Sequence, residues 1–208
     1  MSRVTDIREG KRGLCYLHLD GEYALSVYPD ILAQQEISLG SELDAPALSR
    51  LAEAQERLFA KRKAVELLGY GDCSEKALFD KLTRRQISPE AAAEAVSYCV
   101  SQGFVDDRRT GKALLKSLLS GRGYGERRAR EAMALKGYDR ALIGELLEEE
   151  NDDPLARLSE LLARQSEALA DPRQRERLIG KYLRKGYSYS DIRAAMARVS
   201  DFPAEEFS

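Results

Sequence analysis

Three times in this chain a basic pair or a Lys-Gly step runs into a hydrophobic residue and then a helix N-cap. The three are Arg84-Arg85-Gln86-Ile87-Ser88, Leu135-Lys136-Gly137-Tyr138-Asp139 and Arg184-Lys185-Gly186-Tyr187-Ser188. Residue 86 to residue 137 is a step of 51, and 137 to 186 a step of 49. A near-constant step of this size marks an array of helical units, each burying its apolar face against the next. The expected fold is therefore mainly α: three tandem three-helix repeats in an elongated, curved array. Arrays of this kind present a long surface to a long partner rather than a catalytic pocket.

The first third reads differently. Cys15, Leu17 and Leu19 alternate with polar positions, Asp20-Gly21 follows, and Tyr23, Leu25 and Val27 alternate again. Asp-Gly between alternating runs predicts a tight hairpin, because both central residues must take positive φ. Val4 to Ile7 supplies a third strand. Residues 1–43 thus form a small β-hairpin or β-sheet unit. Asp44 followed by Pro46 starts a helix, a connecting helix over 44–70 with the stripe Leu48, Leu51, Gln55, Leu58 and Phe59, continued by Ala64, Val65 and Leu68. Three helical units follow, at 61–107, 108–150 and 152–200, and 201–208 form a frayed tail. Ser74, Ser88, Asp106 or Asp107, Asp139, Asp153, Asp171 and Ser190 are the expected N-caps. Gly111, in the first helix of the second unit, is expected to weaken it by ~1 kcal/mol relative to Ala.

Charge is distributed in blocks. The chain carries a net −2, so it is no polycation. Residues 1–60 hold six basic against ten acidic residues, residues 108–140 ten against three, and residues 173–198 eight against two. Residues 141–160 hold one basic residue against seven acidic. Alternating blocks of this kind can present a basic face on an acidic molecule. The three cysteines, Cys15, Cys73 and Cys99, are scattered. They form no disulfide framework and no zinc spacing, which points to a reducing, cytoplasmic setting. No run of 18 apolar residues occurs, so no membrane span is expected.

The ordered set Gly103-Phe104-Val105-Asp106-Asp107, then Gly125-Glu126-Arg127-Arg128 with Met133 and Lys136-Gly137-Tyr138, then Leu183-Arg184-Lys185-Gly186-Tyr187-Ser188 resembles the RecX family. Leu19-Asp20-Gly21-Glu22-Tyr23, with Gly40-Ser41-Glu42-Leu43, resembles the β extension of its longer members. The resemblance covers nearly the whole chain. It implies a non-enzymatic modulator, mostly an inhibitor, of the RecA recombinase. Such a protein binds the RecA filament on single-stranded DNA, with weak direct DNA binding besides, and acts as a monomer. It lowers strand exchange, DNA-dependent ATP hydrolysis and repressor cleavage. This chain departs from the family pattern at Thr110-Gly111, and at Gln86, where the other two steps have Gly.

Catalytic constellations are missing. His18 is the only histidine and lies in a strand without a nucleophile pattern, so it reads as an ordinary strand residue. Gly121-Arg122-Gly123-Tyr124-Gly125 has neither the Lys-Ser/Thr nor the strand context of a phosphate loop and reads as a helix connection. Asp106-Asp107 read as helix caps. Neither an enzyme, a metal nor a cofactor is expected. The partner-binding candidates are Arg84, Arg85, Arg122, Tyr124, Arg127, Arg128, Arg130, Lys136, Arg173, Arg177, Arg184 and Lys185. They would contact DNA phosphates or an acidic recombinase surface. The competing reading is charge at helix C-termini complementing the dipole, which suits Lys136 and Lys185. A helix-turn-helix-like DNA-binding regulator and a helical-repeat adaptor are the alternatives.

Overall fold

Asp20 and Gly21 both take positive φ, 52° and 91°, and the expected hairpin forms between β2 (Cys15–Leu19) and β3 (Glu22–Val27). A computed structural model describes residues 1–150 and 153–199. The expected tail, 201–208, lies outside them, as does residue 152, where the third unit was expected to begin. The chain divides into two units. One is Met1–Gly71 with Leu78–Phe104; the other is Asp72–Ala77 with the chain from Val105 onward.

In the first unit, β1 (Ser2–Glu9) and a two-residue β4 (Glu42–Leu43) complete an antiparallel sheet of order β3-β2-β1-β4. Its register puts Val4 opposite Leu19 and Ile7 opposite Leu17. Val4, Leu17, Leu19 and Val27 are buried with Ile31 and Leu32 of a short helix, α1 (Pro29–Gln34), and with Leu51. The sequence reading missed α1 and β4, both too short to show a periodicity. Leu51 belongs to α2 (Ala45–Leu68), where the Asp44 carboxylate accepts the Ala47 N–H at 2.7 Å. Such a cap is worth ~1 kcal/mol.

The stripe expected on α2 needs correction. Gln55 accepts the Tyr28 N–H at 2.7 Å instead of filling the core, and Phe59 and Val65 are 40% and 43% exposed. The second half of α2 buries Ala60, Ala64 and Leu67 against α4 (Pro89–Ser101), which offers Ala91, Ala92, Ala95 and Cys99. Small residues on both sides bring two helices close, and large side chains are then turned out of the contact. Glu56 fixes the pair by accepting both the Ser88 N–H (2.8 Å) and its hydroxyl (2.9 Å).

Between these helices lies α3 (Glu75–Thr83), and Gln86 after it has φ = 64°. Gly137 and Gly186, at the same point of the later steps, have φ = 89° and 93°. The three steps therefore share one backbone turn, and in the first a side chain bears the left-handed conformation. That conformation costs a non-glycine residue about 1–2 kcal/mol. Gln86→Gly is expected to raise stability by about 0.5–1 kcal/mol, the remainder being offset by the freer unfolded chain. A lower denaturation midpoint in urea for this variant would contradict that reading.

In the second unit, α5 (Asp107–Lys116) runs into one wide π-helical turn, Ser117–Gly121. α6 (Glu126–Leu135) and α7 (Arg140–Glu150) follow, and Leu115, Leu118, Leu119, Ala129, Met133, Tyr138, Ile143 and Leu146 close one core. Gly111 is buried here. A Cβ on it would stand 3.0 Å from Leu146 Cδ1 and 3.3 Å from the Tyr138 ring, so the expected helix penalty is set against a close packing contact. The last set is α8 (Pro154–Ala163), a short α9 (Ser166–Ala170), α10 (Pro172–Arg184) and α11 (Tyr189–Val199). Its core holds Leu158, Leu162, Leu178, Tyr182, Tyr187, Ile192 and Met196. Tyr182 is buried in it, while the next residue, Leu183, is 38% exposed. Ser188, not Ser190, caps α11, its hydroxyl oxygen accepting the Asp191 N–H at 3.0 Å.

The two aspartates after Gly103 divide the capping between two helices. Asp106 accepts the Arg109 N–H at 2.9 Å and caps α5. Asp107 accepts the Glu75 N–H, also at 2.9 Å, at the start of α3. Burial pushes both Asp107 and Glu75 above the usual carboxylate range, and each also feels a neighbouring carboxylate. A raised folded pKa means that the folded state binds more protons than the unfolded one. The pair therefore disfavours folding above its folded pKa, and this cost is relieved as pH falls through it. Asp107→Asn, which keeps an acceptor for the Glu75 N–H, is expected to be more stable than the parent at pH 8, with the difference vanishing in acid. A pH-independent difference in urea midpoint would overturn this.

Candidate functional site

The two Lys-Gly steps are docking points between helices distant in sequence within the second unit. At the first, the Ser74 hydroxyl donates to the Lys136 carbonyl at 2.7 Å and accepts the Ala77 N–H at 3.1 Å. Gly137 lies so close that a Cβ would be 2.7 Å from Ser74 Oγ and 3.2 Å from Ala77 N. At the second, the Gly125 N–H donates to the Lys185 carbonyl at 2.8 Å. A Cβ on Gly186 would be 2.6 Å from the Arg128 backbone nitrogen. In both, the C-terminal end of one helix (α6, then α10) meets the N-terminal end of an earlier one (α3, then α6). Orphan carbonyls meet donors there, and the negative end of one helix dipole meets the positive end of another.

The second joint gathers charge. The Lys185 ammonium donates to the Arg122 carbonyl at 2.6 Å and lies 5.9 Å from the centre of the Tyr182 ring. Lys181 lies over the same ring at 5.3 Å. Arg128 lies 6.0 Å over the ring of Tyr124, and Arg157 lies 6.0 Å over that of Tyr187. Arg157 also donates to the Tyr124 carbonyl at 3.2 Å. Tyr182 and Tyr187 meet edge to face at 5.9 Å. A hydrogen bond from Arg122, with the positive charge of Arg122 and Arg128, holds the Tyr124 phenol below its ordinary pKa. Burial, and then repulsion from Lys181, holds the Lys185 amine below its own. The lowered phenol reports the positive charge around it, whereas the lowered amine reports burial first and the neighbouring ammonium second.

Of the residues singled out in the sequence, the fold thus brings Arg122, Tyr124, Arg128 and Lys185 together. Arg127 and Arg128 share Glu131, at 3.6 and 3.1 Å, and Arg130 reaches Glu126 at 3.8 Å. Lys136 is exposed beside the other joint. Arg184 is exposed at the end of α10, while Arg173 and Arg177 are exposed in its first half. At 1.5 Å per residue, those two stand roughly 12–18 Å along the helix from Lys185. Arg84 and Arg85 belong to the first unit and are exposed, Arg85 donating to the Lys81 carbonyl at 2.7 Å. The sequence reading missed Arg157, hidden in an acidic block, and Lys181. Arg157 has no local signal, and Lys181, although it lies in the basic stretch 173–198, joins the cluster only through packing.

Chemically, the cluster offers three guanidinium and two ammonium groups around tyrosine rings. Forked guanidinium donors suit phosphate or carboxylate oxygens, and aromatic faces suit bases or apolar stems. A cleft of about 340 Å³ beside it is lined by Gly125, Arg127, Asp153, Gly186, Tyr187 and Asp191, among others. Its two aspartates are engaged as caps, Asp153 to the Leu155 N–H (2.9 Å) and Asp191 to the Ser188 N–H (3.2 Å). Among the described residues no three His, Cys, Asp or Glu side chains gather as metal ligands, and no helix is long and apolar enough to cross a membrane. His18 lies 6.1 Å from the Tyr23 ring.

The chain as a whole is similar to known proteins. Residues 60–99 match the family model described as RecX, first three-helix domain. The chain is similar to a protein named Regulatory protein RecX from Staphylococcus carnosus, 23% identical over 99% of this chain and 79% of the relative. It is also similar to the one from Bacillus subtilis, 26% identical over 88% and 71% respectively. Among solved structures, a crystal structure of regulatory protein RecX superimposes with a TM-score of 0.68 at 20% identity, covering 97% of this chain and all of the other. RecX from Lactobacillus salivarius superimposes with a TM-score of 0.62 at 17% identity over 72% of this chain. The structural likenesses concern the fold.

Proposed function

This chain belongs to the RecX family, and on that footing we propose that it is a non-enzymatic regulator of the RecA recombinase, acting in the cytoplasm on the filament that RecA forms on single-stranded DNA. The regulation is inhibitory. The protein lies along the filament and lowers its strand exchange, ATP hydrolysis and coprotease activity. The observation that carries this reading is the cluster of Arg122, Arg128, Arg157, Lys181 and Lys185 around Tyr124, Tyr182 and Tyr187 on a chain of net charge −2. Positive charge held at one joint of an acidic protein gives an oriented contact, where a general polycation would coat any polyanion. Arg127, Arg130, Lys136, Arg173, Arg177 and Arg184 add exposed cations on the second unit, and Arg84 and Arg85 are exposed cations of the first.

Co-sedimentation tests the proposal. RecA filaments are assembled on single-stranded DNA with a non-hydrolysable ATP analogue, at a salt concentration where the DNA alone retains none of this chain. Saturable recovery of the chain in the filament pellet is expected. Recovery no greater than with DNA alone would remove the recombinase from the account and leave the fold without this partner.

A further inference from the structure

The outer face of the N-terminal sheet carries side chains that the recombinase reading does not use. The register sets Arg8 opposite Tyr16 and Tyr16 opposite Ser26, and in the neighbouring row Asp6 opposite His18 and His18 opposite Tyr23. Leu17, between Tyr16 and His18, and Val27, next to Ser26, are fully buried, so this second set faces away from the core. Three rings therefore sit together on adjacent strands. Tyr16 and Tyr23 have centroids 6.2 Å apart, and His18 and Tyr23 6.1 Å, each pair edge to face.

These rings are held in place. The Tyr23 hydroxyl is bonded to Ser26 Oγ at 2.9 Å. The Tyr16 ring lies on Gly10, where an added Cβ would be 2.8 Å from two of its carbons. Yet Tyr23 is 59% exposed. An exposed and fixed aromatic group on a sheet is costly to leave bare and loses little entropy on contact. Charge is arranged along the same face. Arg8 is tied to Asp6 at 2.5 Å, and Asp20 to the Arg3 N–H at 2.9 Å. The turn Lys11–Gly13, beside Tyr16, presents Lys11 and Arg12, both exposed and without an ion pair among the described residues.

We propose that this face is a binding platform for single-stranded nucleic acid, with bases stacked on Tyr23, Tyr16 and His18 and the backbone phosphates drawn to Lys11 and Arg12. An antiparallel sheet with aromatic side chains on its open face and cations at its rim is a recurrent solution for splayed, unpaired bases, because every base has a ring face to stack. Duplex DNA hides its bases and fits this face poorly. The platform needs no recombinase and stands apart from the reading above.

The test uses the full chain and a fluorescein-labelled oligo-dT of 20 nucleotides, without recombinase, followed by anisotropy at low salt. Arg122→Glu/Arg128→Glu serves as the background, so that the joint cluster does not mask the sheet. In that background Tyr23→Ala is expected to weaken binding at least fivefold, and Tyr23→Trp to restore it. Lys11→Glu/Arg12→Glu is expected to lower the slope of log affinity against log salt by roughly 1.4, two phosphate contacts at about 0.7 each. A duplex of equal length should bind more weakly than the single strand. Tyr23→Ala within twofold of the background, or an unchanged salt slope, overturns the proposal. Loss of RecA regulation by Tyr23→Ala with unchanged oligonucleotide binding overturns it too, and would make the face a protein contact.

Discussion

Gly186→Ala is expected to destabilise the second unit by about 3 kcal/mol. Two costs combine. The residue has φ = 93°, a conformation that charges any side chain about 1–2 kcal/mol. The new Cβ would stand 2.6 Å from the Arg128 backbone nitrogen and an equal distance from its Cβ, and forced overpacking of this kind adds about 1–3 kcal/mol. Neither neighbour is the far end of a flexible side chain, so the joint must open for the methyl group to fit. Opening it also strands the Lys185 carbonyl, which now accepts the Gly125 N–H. A loss of 3 kcal/mol is a large part of the stability of an ordinary domain. Urea unfolding with Gln86→Gly as the opposite control measures it. Equal midpoints for Gly186→Ala and the parent would mean that the Lys-Gly step is not a joint.

The second large effect is functional. Arg122→Glu/Arg128→Glu is expected to raise the concentration needed for half-maximal inhibition of RecA by tenfold or more. Each charge-assisted hydrogen bond lost on such a surface is worth about 1.5–3 kcal/mol, and screening reduces the sum for exposed groups. Both side chains are exposed, and neither is in the buried core of the second unit, so circular dichroism and the urea midpoint should change little. Arg127→Glu/Arg128→Glu should act in the same direction and more weakly, because Arg127 pairs with Glu131 and does not flank Tyr124. Full inhibition by a folded Arg122→Glu/Arg128→Glu protein would place the contact elsewhere.

Much of the fold is local and could be read from the residues. The Asp20-Gly21 hairpin, the caps at Asp44, Ser88, Asp153 and Asp171, and the prolines in the first turns of the four helices that follow those caps all depend on neighbours in sequence. The Lys-Gly-Tyr steps were legible because a left-handed turn followed by a packed aromatic leaves a fixed pattern. Tyr138 and Tyr187 are indeed buried, at 7% and 4% exposure. What those steps dock against was not legible. Ser74 lies 62 residues before Lys136, and no local pattern links them. The first step was read despite Gln86 in place of glycine, but its left-handed backbone was not legible from the residue type. Phe59 and Val65 were assigned inward by periodicity, but the alanine contact with α4 decided the face of α2. Periodicity finds a stripe; the partner helix chooses its centre.

The candidate site divides in the same way. Arg122, Tyr124 and Arg128 are close in sequence and were found together. Lys185 joins them only because α10 ends on α6, and its ammonium caps the Arg122 carbonyl. Arg157 comes from an acidic stretch that gave no reason to single it out, and Lys181 lies in the basic stretch 173–198, where charge alone did not distinguish it from its neighbours. Block charges along a chain therefore identify which stretches are basic, while the joints decide which cations meet.

The most direct measurement is the rate of ATP hydrolysis by cognate RecA on single-stranded DNA, with this chain titrated from well below one chain per recombinase to a molar excess. A saturating fall in rate is predicted, shifted to higher concentration by Arg122→Glu/Arg128→Glu. An unchanged rate across the titration, with a chain shown to be folded by circular dichroism, would contradict the claim that it regulates the filament.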